Sequence, residues 1–500
     1  MEHLLSLIGI LDKYTVHITV LLIILMLIIT YVHDVMQKQD TILRNYPVIG
    51  HIRYIAQDLG VYLRQYFYSR DREELPFNRD QREWIYHAAE NVDTTVGFGT
   101  TRNLKEPGTI IFVDAPFPLL GQDATKTRPI IFGEQTKNPY TAYSILNISA
   151  MSYGALSKNA VAALSYGAKM GGCWLNTGEG GVSQYHLEGG CDLIAQIGTA
   201  KYGFRDEAGH FSDERLKELA AIPQIKMFEV KLSQGAKPGK GGLLPGIKVT
   251  PDIAKIRGIP AFKDSVSPNR HPEIANSEEL INFINHVRDV CEKPVGFKVV
   301  LGSFEWLDEF FSLICERGVA SAPDFITIDG AEGGTGAAPE SLADYMGLSI
   351  TETLPTLVDK LREYGLRDHI KVIASGKMVT AGAVMAALCA GDDFVNSARG
   401  FLFSLGCIQA LRCHNNTCPT GITTHNPRKV SGLDVKSKAL RVANYVRRVN
   451  YEIGVMCHSC GVHEPRELTR NHARVVTSTG VSVSLAKLYP DIETRVSDLH

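Results

Sequence analysis

From about Ile145 to Ser397 the chain alternates short β-branched and aromatic runs with glycine-rich loops and amphipathic stretches. This is the pattern of parallel strands buried on both faces and covered by helices. Seven runs predict strands: Ile145–Ser149, Cys173–Thr177, Ile225–Leu232, Val295–Val300, Phe325–Asp329, Ile370–Ala374 and Asp393–Ser397. A closed (β/α)8 barrel needs one more, for which the indistinct stretch Ala343 to Leu357 is the candidate. The competing fold is an open doubly wound sheet, which usually announces a dinucleotide by G-x-G-x-x-G, and no such run occurs here.

A different pattern marks the N-terminus. Tyr14 to His33 contains no Asp, Glu, Lys or Arg, and at about 1.5 Å per residue it reaches roughly 30 Å, enough to span a bilayer. A signal peptide or a buried helix could look alike, but no alanine lies between Tyr14 and Ile55 to offer a small-residue cleavage site. Only Lys13 precedes the segment among Lys and Arg, whereas Lys38, Arg44, Arg53, Arg64 and Arg70 follow it. A single-pass anchor with a cytoplasmic body is therefore expected. Residues 34–90 interleave tyrosines with arginines, as suits a membrane-proximal helical lead-in; an ordinary helical element packed on the enzyme body is the plainer reading.

Composition narrows the function. With 52 Lys+Arg against 54 Asp+Glu, the net charge is -2, and a nucleic-acid partner is not expected. The ten cysteines are loosely spaced, which fits free thiols or cluster ligands better than disulfides. Loops after the strands of a barrel carry its active site. Here they are Met151–Ser157, Gly178–Gly181, Ser233–Gly242, Gly330–Pro339, Ser375–Lys377 and Ala398–Gly400. Any one could merely turn the chain; in order at successive strand ends they suggest a flat, phosphate-bearing cofactor held by backbone N–H groups. Cys407, Cys413 and Cys418 gather within twelve residues, and Pro419 follows, a proline that often accompanies iron-sulfur ligation. Zinc would want four ligands, and inert buried thiols are the bland alternative. Cys457 and Cys460 close an amphipathic helix and read mainly as packing, with a fourth cluster ligand left open.

From about Ile145 to Thr424 the chain resembles the FMN and three-iron four-sulfur (3Fe-4S) synthase domain of glutamate synthase, most nearly its short FMN-binding members. The resemblance rests on Ala150–Ser157, Thr177–Gly181, Lys231–Gly239, Leu244–Gly246, Asp329 with Gly333–Gly336, and Gly406–Cys407 through Cys418–Gly421. It implies FMN with Met151 and Ser152 beside its ring, Thr177 and Gly333 in the cofactor motifs, Lys298 near the N1/O2 edge, and Gly334, Gly376, Ser397 and Ala398 near the phosphate. It implies a 3Fe-4S cluster on Cys407, Cys413 and Cys418. Lys231, Gln234 and Lys237 would hold a 2-oxo acid, and Glu179 would stand where ammonia meets the carbonyl. The family's glutaminase domain is not expected, and the 76 residues from His425 to His500 are too few for its long C-terminal β-helix. Lys240 and Leu243 depart from the family, which commonly has an acid and a glutamine there.

The expected organisation is an N-terminal segment 1–33, the lead-in 34–90, an FMN-binding barrel 91–430 and a helical tail 431–500. The expected activity is reductive amination of a 2-oxo acid, with 2-oxoglutarate to glutamate leading. Ammonia or an amine would supply nitrogen; ferredoxin or a partner reductase subunit would supply electrons. The rivals are a membrane-anchored amine or amino-acid dehydrogenase feeding electrons to the membrane, and a non-catalytic electron-relay subunit.

Overall fold

In the computed structural model the chain divides into two compact units, Met1–Asp80 and Gln81–His500. The structure describes residues 2–123, 127–490 and 492.

The first unit opens with the helix Glu2–Met36. Within it Tyr14–Met36 is long and apolar enough to cross a membrane, with a mean hydropathy of 2.5 and no buried residue in its apolar stretch. The short helix Thr41–Asn45 follows, capped by the Asp40 carboxylate on the N–H groups of Ile42 and Leu43. The helix Gly50–Leu63 then runs into a wider turn at Arg64–Tyr68.

The second unit is built on a closed barrel of eight parallel strands. We number them β1 Leu146–Ile148, β2 Leu175–Asn176, β3 Leu193–Ile197, β4 Ile225–Lys231, β5 Val295–Val299, β6 Phe325–Asp329, β7 Lys371–Ser375 and β8 Phe394–Ser397. The β8–β1 register, Val395 opposite Leu146 and Ser397 opposite Ile148, closes the ring. All seven predicted runs are strands. The eighth is β3, not the stretch Ala343 to Leu357, which is occupied by parts of the helices Glu340–Tyr345 and Ile350–Glu363.

Local chemistry sets the helix ends. Ser157, Asn276 and Thr380 accept backbone N–H groups at helix starts, and Gly172 and Gly391 take left-handed conformations at helix ends. One mouth of the barrel is plugged by the hairpin Ile130–Phe132 and Tyr140–Ala142. Phe132 and Tyr140 pack there on Trp174, Ile194, Phe325 and Phe394, which lie at or near the strand starts. Higher in the barrel Glu229 is fully buried and accepts from Asn176 Nδ2 (2.8 Å), Gln196 Nε2 (2.7 Å) and Thr327 Oγ1 (2.6 Å). Three donors from three strands offset the cost of burying that carboxylate.

The tail contributes the helix Val435–Ser459, packed on the helix Lys158–Gly171. Helix is only part of it, because Ala473–Val476 and Ser482–Ser484 join Ile110–Phe112 in an antiparallel three-stranded sheet.

Candidate active site

With the strand-start mouth plugged, the opposite mouth opens into a cleft of about 1010 Å³, counted out to open solvent. Its walls are the segments that follow the strands, as barrel geometry requires.

On one wall the Met151 backbone is fixed twice. Its N–H donates to Asn176 O at 3.0 Å, and its carbonyl receives His186 Nε2 at 3.0 Å. His186 Nδ1 accepts the Ser183 N–H, so Nε2 carries the proton. Burial pushes that imidazole down to about 4, which keeps it neutral. Gly178, at φ +67°, comes so close that a Cβ there would lie 2.8 Å from Ser152 N; only glycine fits.

The next wall carries a charged cluster. Lys231 Nζ, at the end of β4, meets Glu179 Oε2 at 3.0 Å and donates to Gln234 Oε1 at 2.5 Å. Burial opposes ionisation of Glu179, but the ammonium groups of Lys231 and Lys237 outweigh it and hold the carboxyl below its ordinary range. Burial pushes Lys237 down to about 8; Glu179 opposes that shift, while Lys231 and Lys240 add to it. Lys248, Arg257 and Arg399 also line the cleft, where Glu179 is the single carboxylate among the described residues. The site is therefore built for anions.

Met151, Ser152, Glu179, Lys231, Gln234 and Lys237 come together in this cleft, and Gly334, Ala398 and Cys413 join them. Thr177, Lys298, Gly333, Gly376 and Ser397 are outside its lining. Lys298 pairs with Asp329 Oδ2 at 3.2 Å. Thr177 is buried, its hydroxyl shared between Gly178 O and Gln196 N–H. A Cβ on Gly333 would meet Asp329 Oδ1 at 2.6 Å. Gly376 follows β7 at φ +137°, and Ser397 is the buried last residue of β8. Of the two departures from the family, Leu243 lines the cleft and is 42% exposed, whereas Lys240 is exposed and outside the lining.

Sequence reading missed Gln196, Lys248 and Arg257, and it placed Arg399 in a strand-end segment without giving it a role. Gln196 lies on β3; its Nε2 is engaged by Glu229, while Oε1 is buried with no hydrogen-bond partner. A flat cofactor needs an approach free of side chains and a polar partner for its ring edge, and Gly178, Gly334 and this orphaned oxygen fit that need.

The cysteine loop borders the same cleft. Arg399 Nη1 lies 3.7 Å from Cys413 Sγ, and Lys248 Nζ donates to Ala155 O at 2.7 Å and to Cys413 O at 3.2 Å. Tyr86 donates to the Cys407 carbonyl at 2.6 Å. Gln409, Leu411 and Asn416 in this loop all have positive φ, a strained run that its surroundings must hold in place. Among the described residues no three His, Cys, Asp or Glu side chains converge on a point suited to one metal ion. A cluster of several irons spreads its thiolates more widely, and the Cys407 thiol is close enough to feel both Cys413 and Cys418. Cys457 and Cys460 belong to another neighbourhood, beside Cys389, Glu464 and Asp114.

A parallel barrel with a charged cleft beyond its strand ends defines a (β/α)8 enzyme. The chain belongs to the glutamate synthase family: residues 110–463 match the family model described as the conserved region in glutamate synthase. It is a glutamate-synthase-like oxidoreductase. The glutamate synthase large subunit-like protein YerD of Bacillus subtilis is 41% identical over 497 residues, covering 92% of this chain and 94% of that one. An archaeal NADPH glutamate synthase of Methanocaldococcus jannaschii is 34% identical over 331 residues, 66% of this chain and 61% of that one, so the chain spans less than two thirds of that relative. Among solved structures, a mandelate oxidase variant with a monooxide FMN adduct is similar at 15% identity and a TM-score of 0.43, over 79% of this chain and 91% of that one.

Proposed function

We propose that this protein reductively aminates a 2-oxo acid, with 2-oxoglutarate to glutamate as the leading case, using FMN and a 3Fe-4S cluster. The observation that carries the reading is the Glu179–Lys231–Gln234–Lys237 cluster set in one cleft with Cys413. When bound, FMN supplies hydride chemistry and the cluster single-electron relay. Met151, Ser152, Gly334, Ala398 and Gln196 would hold the flavin from the cleft walls, with Thr177, Lys298, Gly333, Gly376 and Ser397 supporting them. Cys407, Cys413 and Cys418 would hold the cluster.

The chain's own residues then divide the work. Lys231 and Lys237 bind the carboxylates of the oxo acid, and Gln234 orients it through the Lys231 contact. Glu179, kept ionised by those lysines, accepts a proton from ammonia or an amine as nitrogen adds to the carbonyl. Electrons come from ferredoxin or a partner reductase subunit. The N-terminal helix Tyr14–Met36 anchors the protein, with the catalytic body on the cytoplasmic side.

That exposed apolar helix also favours a second reading, an amine or amino-acid dehydrogenase that passes electrons to the membrane. Anaerobically reduced protein, mixed with 2-oxoglutarate and ammonia or methylamine, distinguishes them: reoxidation of the flavin band supports amination, whereas reduction of the oxidised protein by amines supports the dehydrogenase. A Gln234→Ala variant with unchanged turnover would leave only an electron-relay role.

A further inference from the structure

We infer that the helix Gly50–Leu63 and its flanks lie in the plane of the lipid surface, as a foot on the same bilayer that the first helix crosses. The inference rests on the anchor reading above and extends it to a second contact with lipid.

Ile52, Ile55, Leu59 and Leu63 are 64%, 57%, 52% and 41% exposed. Their spacing, i, i+3, i+7 and i+11, places them on one face of the helix. Ile49 before the helix and Phe67 after it are 69% and 77% exposed. Exposed Arg53, Gln57 and Asp58 stand off this stripe. A continuous apolar face of this length in water calls for an occupant.

Chain continuity identifies the occupant as lipid. Asp34 sits near the end of the membrane-length helix, and its carboxylate is buried. It accepts the Val48 N–H at 2.9 Å and engages His51 Nε2 at 2.9 Å. These bonds pin the first turn of Gly50–Leu63 to the end of the span, where the headgroup layer lies, and all of these residues belong to the same compact unit. Charge agrees: exposed Lys38, Arg44, Arg53 and Arg64 suit anionic headgroups. Exposed Tyr46, Tyr66 and Tyr68 have the apolar body and polar tip favoured at a membrane boundary.

The test uses the full chain reconstituted into phosphatidylcholine and phosphatidylglycerol vesicles, with or without bromine on the acyl chains. Ile55→Trp and Gln57→Trp place a reporter on the stripe and off it, above the background of the 3 native tryptophans. Bromine should quench the added Ile55→Trp emission at least roughly twofold more than the Gln57→Trp emission, since an in-plane helix buries its apolar face in the acyl boundary. Equal, weak quenching of both in protein that floats with the vesicles would overturn the foot and leave the anchor standing. That is also the result expected if a partner protein or a second copy covers the stripe. Protein that does not float with the vesicles would overturn both.

Discussion

Lys298 and Asp329, at the ends of neighbouring strands β5 and β6, form a 3.2 Å ion pair in which both side chains are almost wholly buried. The same Asp329 oxygen accepts the Gly235 N–H at 3.0 Å, so one carboxylate joins two strands and the loop after β4.

Removing only the lysine should therefore strand a buried charge. Lys298→Met is expected to lower stability by about 3–5 kcal/mol, and adding Asp329→Asn should recover part of that loss. Urea denaturation of the two variants checks both signs.

Lys237 gives the site a pH limit. Burial lowers it from its ordinary 10.5 to about 8, so above that value the folded protein loses the ammonium proposed to hold the substrate carboxylate. The KM for the oxo acid should rise as pH climbs through about 8, and Lys237→Arg should move that limb upward. Stability should run the other way. Between about 8 and 10.5 the unfolded chain binds the extra proton, so this group's penalty on the fold is relieved as pH rises. Paired kcat/KM and denaturation profiles would show the two opposite slopes.

The two thiol neighbourhoods should respond differently to substitution. Cys413→Ala is expected to abolish bound iron and its EPR signal, whereas Cys457→Ala with Cys460→Ala should leave both intact. Iron analysis of each purified variant decides the matter, and loss of iron from the second would make it a fourth-ligand region.

At Gly167 a Cβ would lie 2.4 Å from Val442 Cβ and 2.8 Å from Ala439 O, because the helix Lys158–Gly171 is pressed against Val435–Ser459. Gly167→Ala should cost about 1–3 kcal/mol through overpacking, read as a lower denaturation midpoint with the flavin site unchanged.

Seven barrel strands were legible because each is a short apolar run, and six of them stand ahead of a polar, glycine-bearing loop. β3 was not, because the chain between β2 and β3 holds only the four-residue helix Gln184–Leu187 and never displays the long amphipathic crossover that usually separates parallel strands. The stretch taken for it carries Pro355 inside a helix, which blurs the helical signal. Missing β3 also hid Gln196, a residue whose significance comes from the position of its strand. Lys248 and Arg257 were invisible for another reason: they reach the cleft from the excursion after β4, and only the folded chain brings them to Cys413 and to Tyr153. Arg399 lies inside the strand-end segment Ala398–Gly400, but a lone arginine in a three-residue segment does not show that it reaches Cys413. The lysine, glutamine and carboxylate of the charged cluster were readable because their motifs are contiguous.

The pairing of Ile110 with Val475 brings the segment ahead of the barrel strands and the segment after them to adjacent points of one small ladder. A body whose two ends are neighbours can travel as a cassette. Longer polypeptides could host it by gene fusion at either boundary without altering the order in which its staves close.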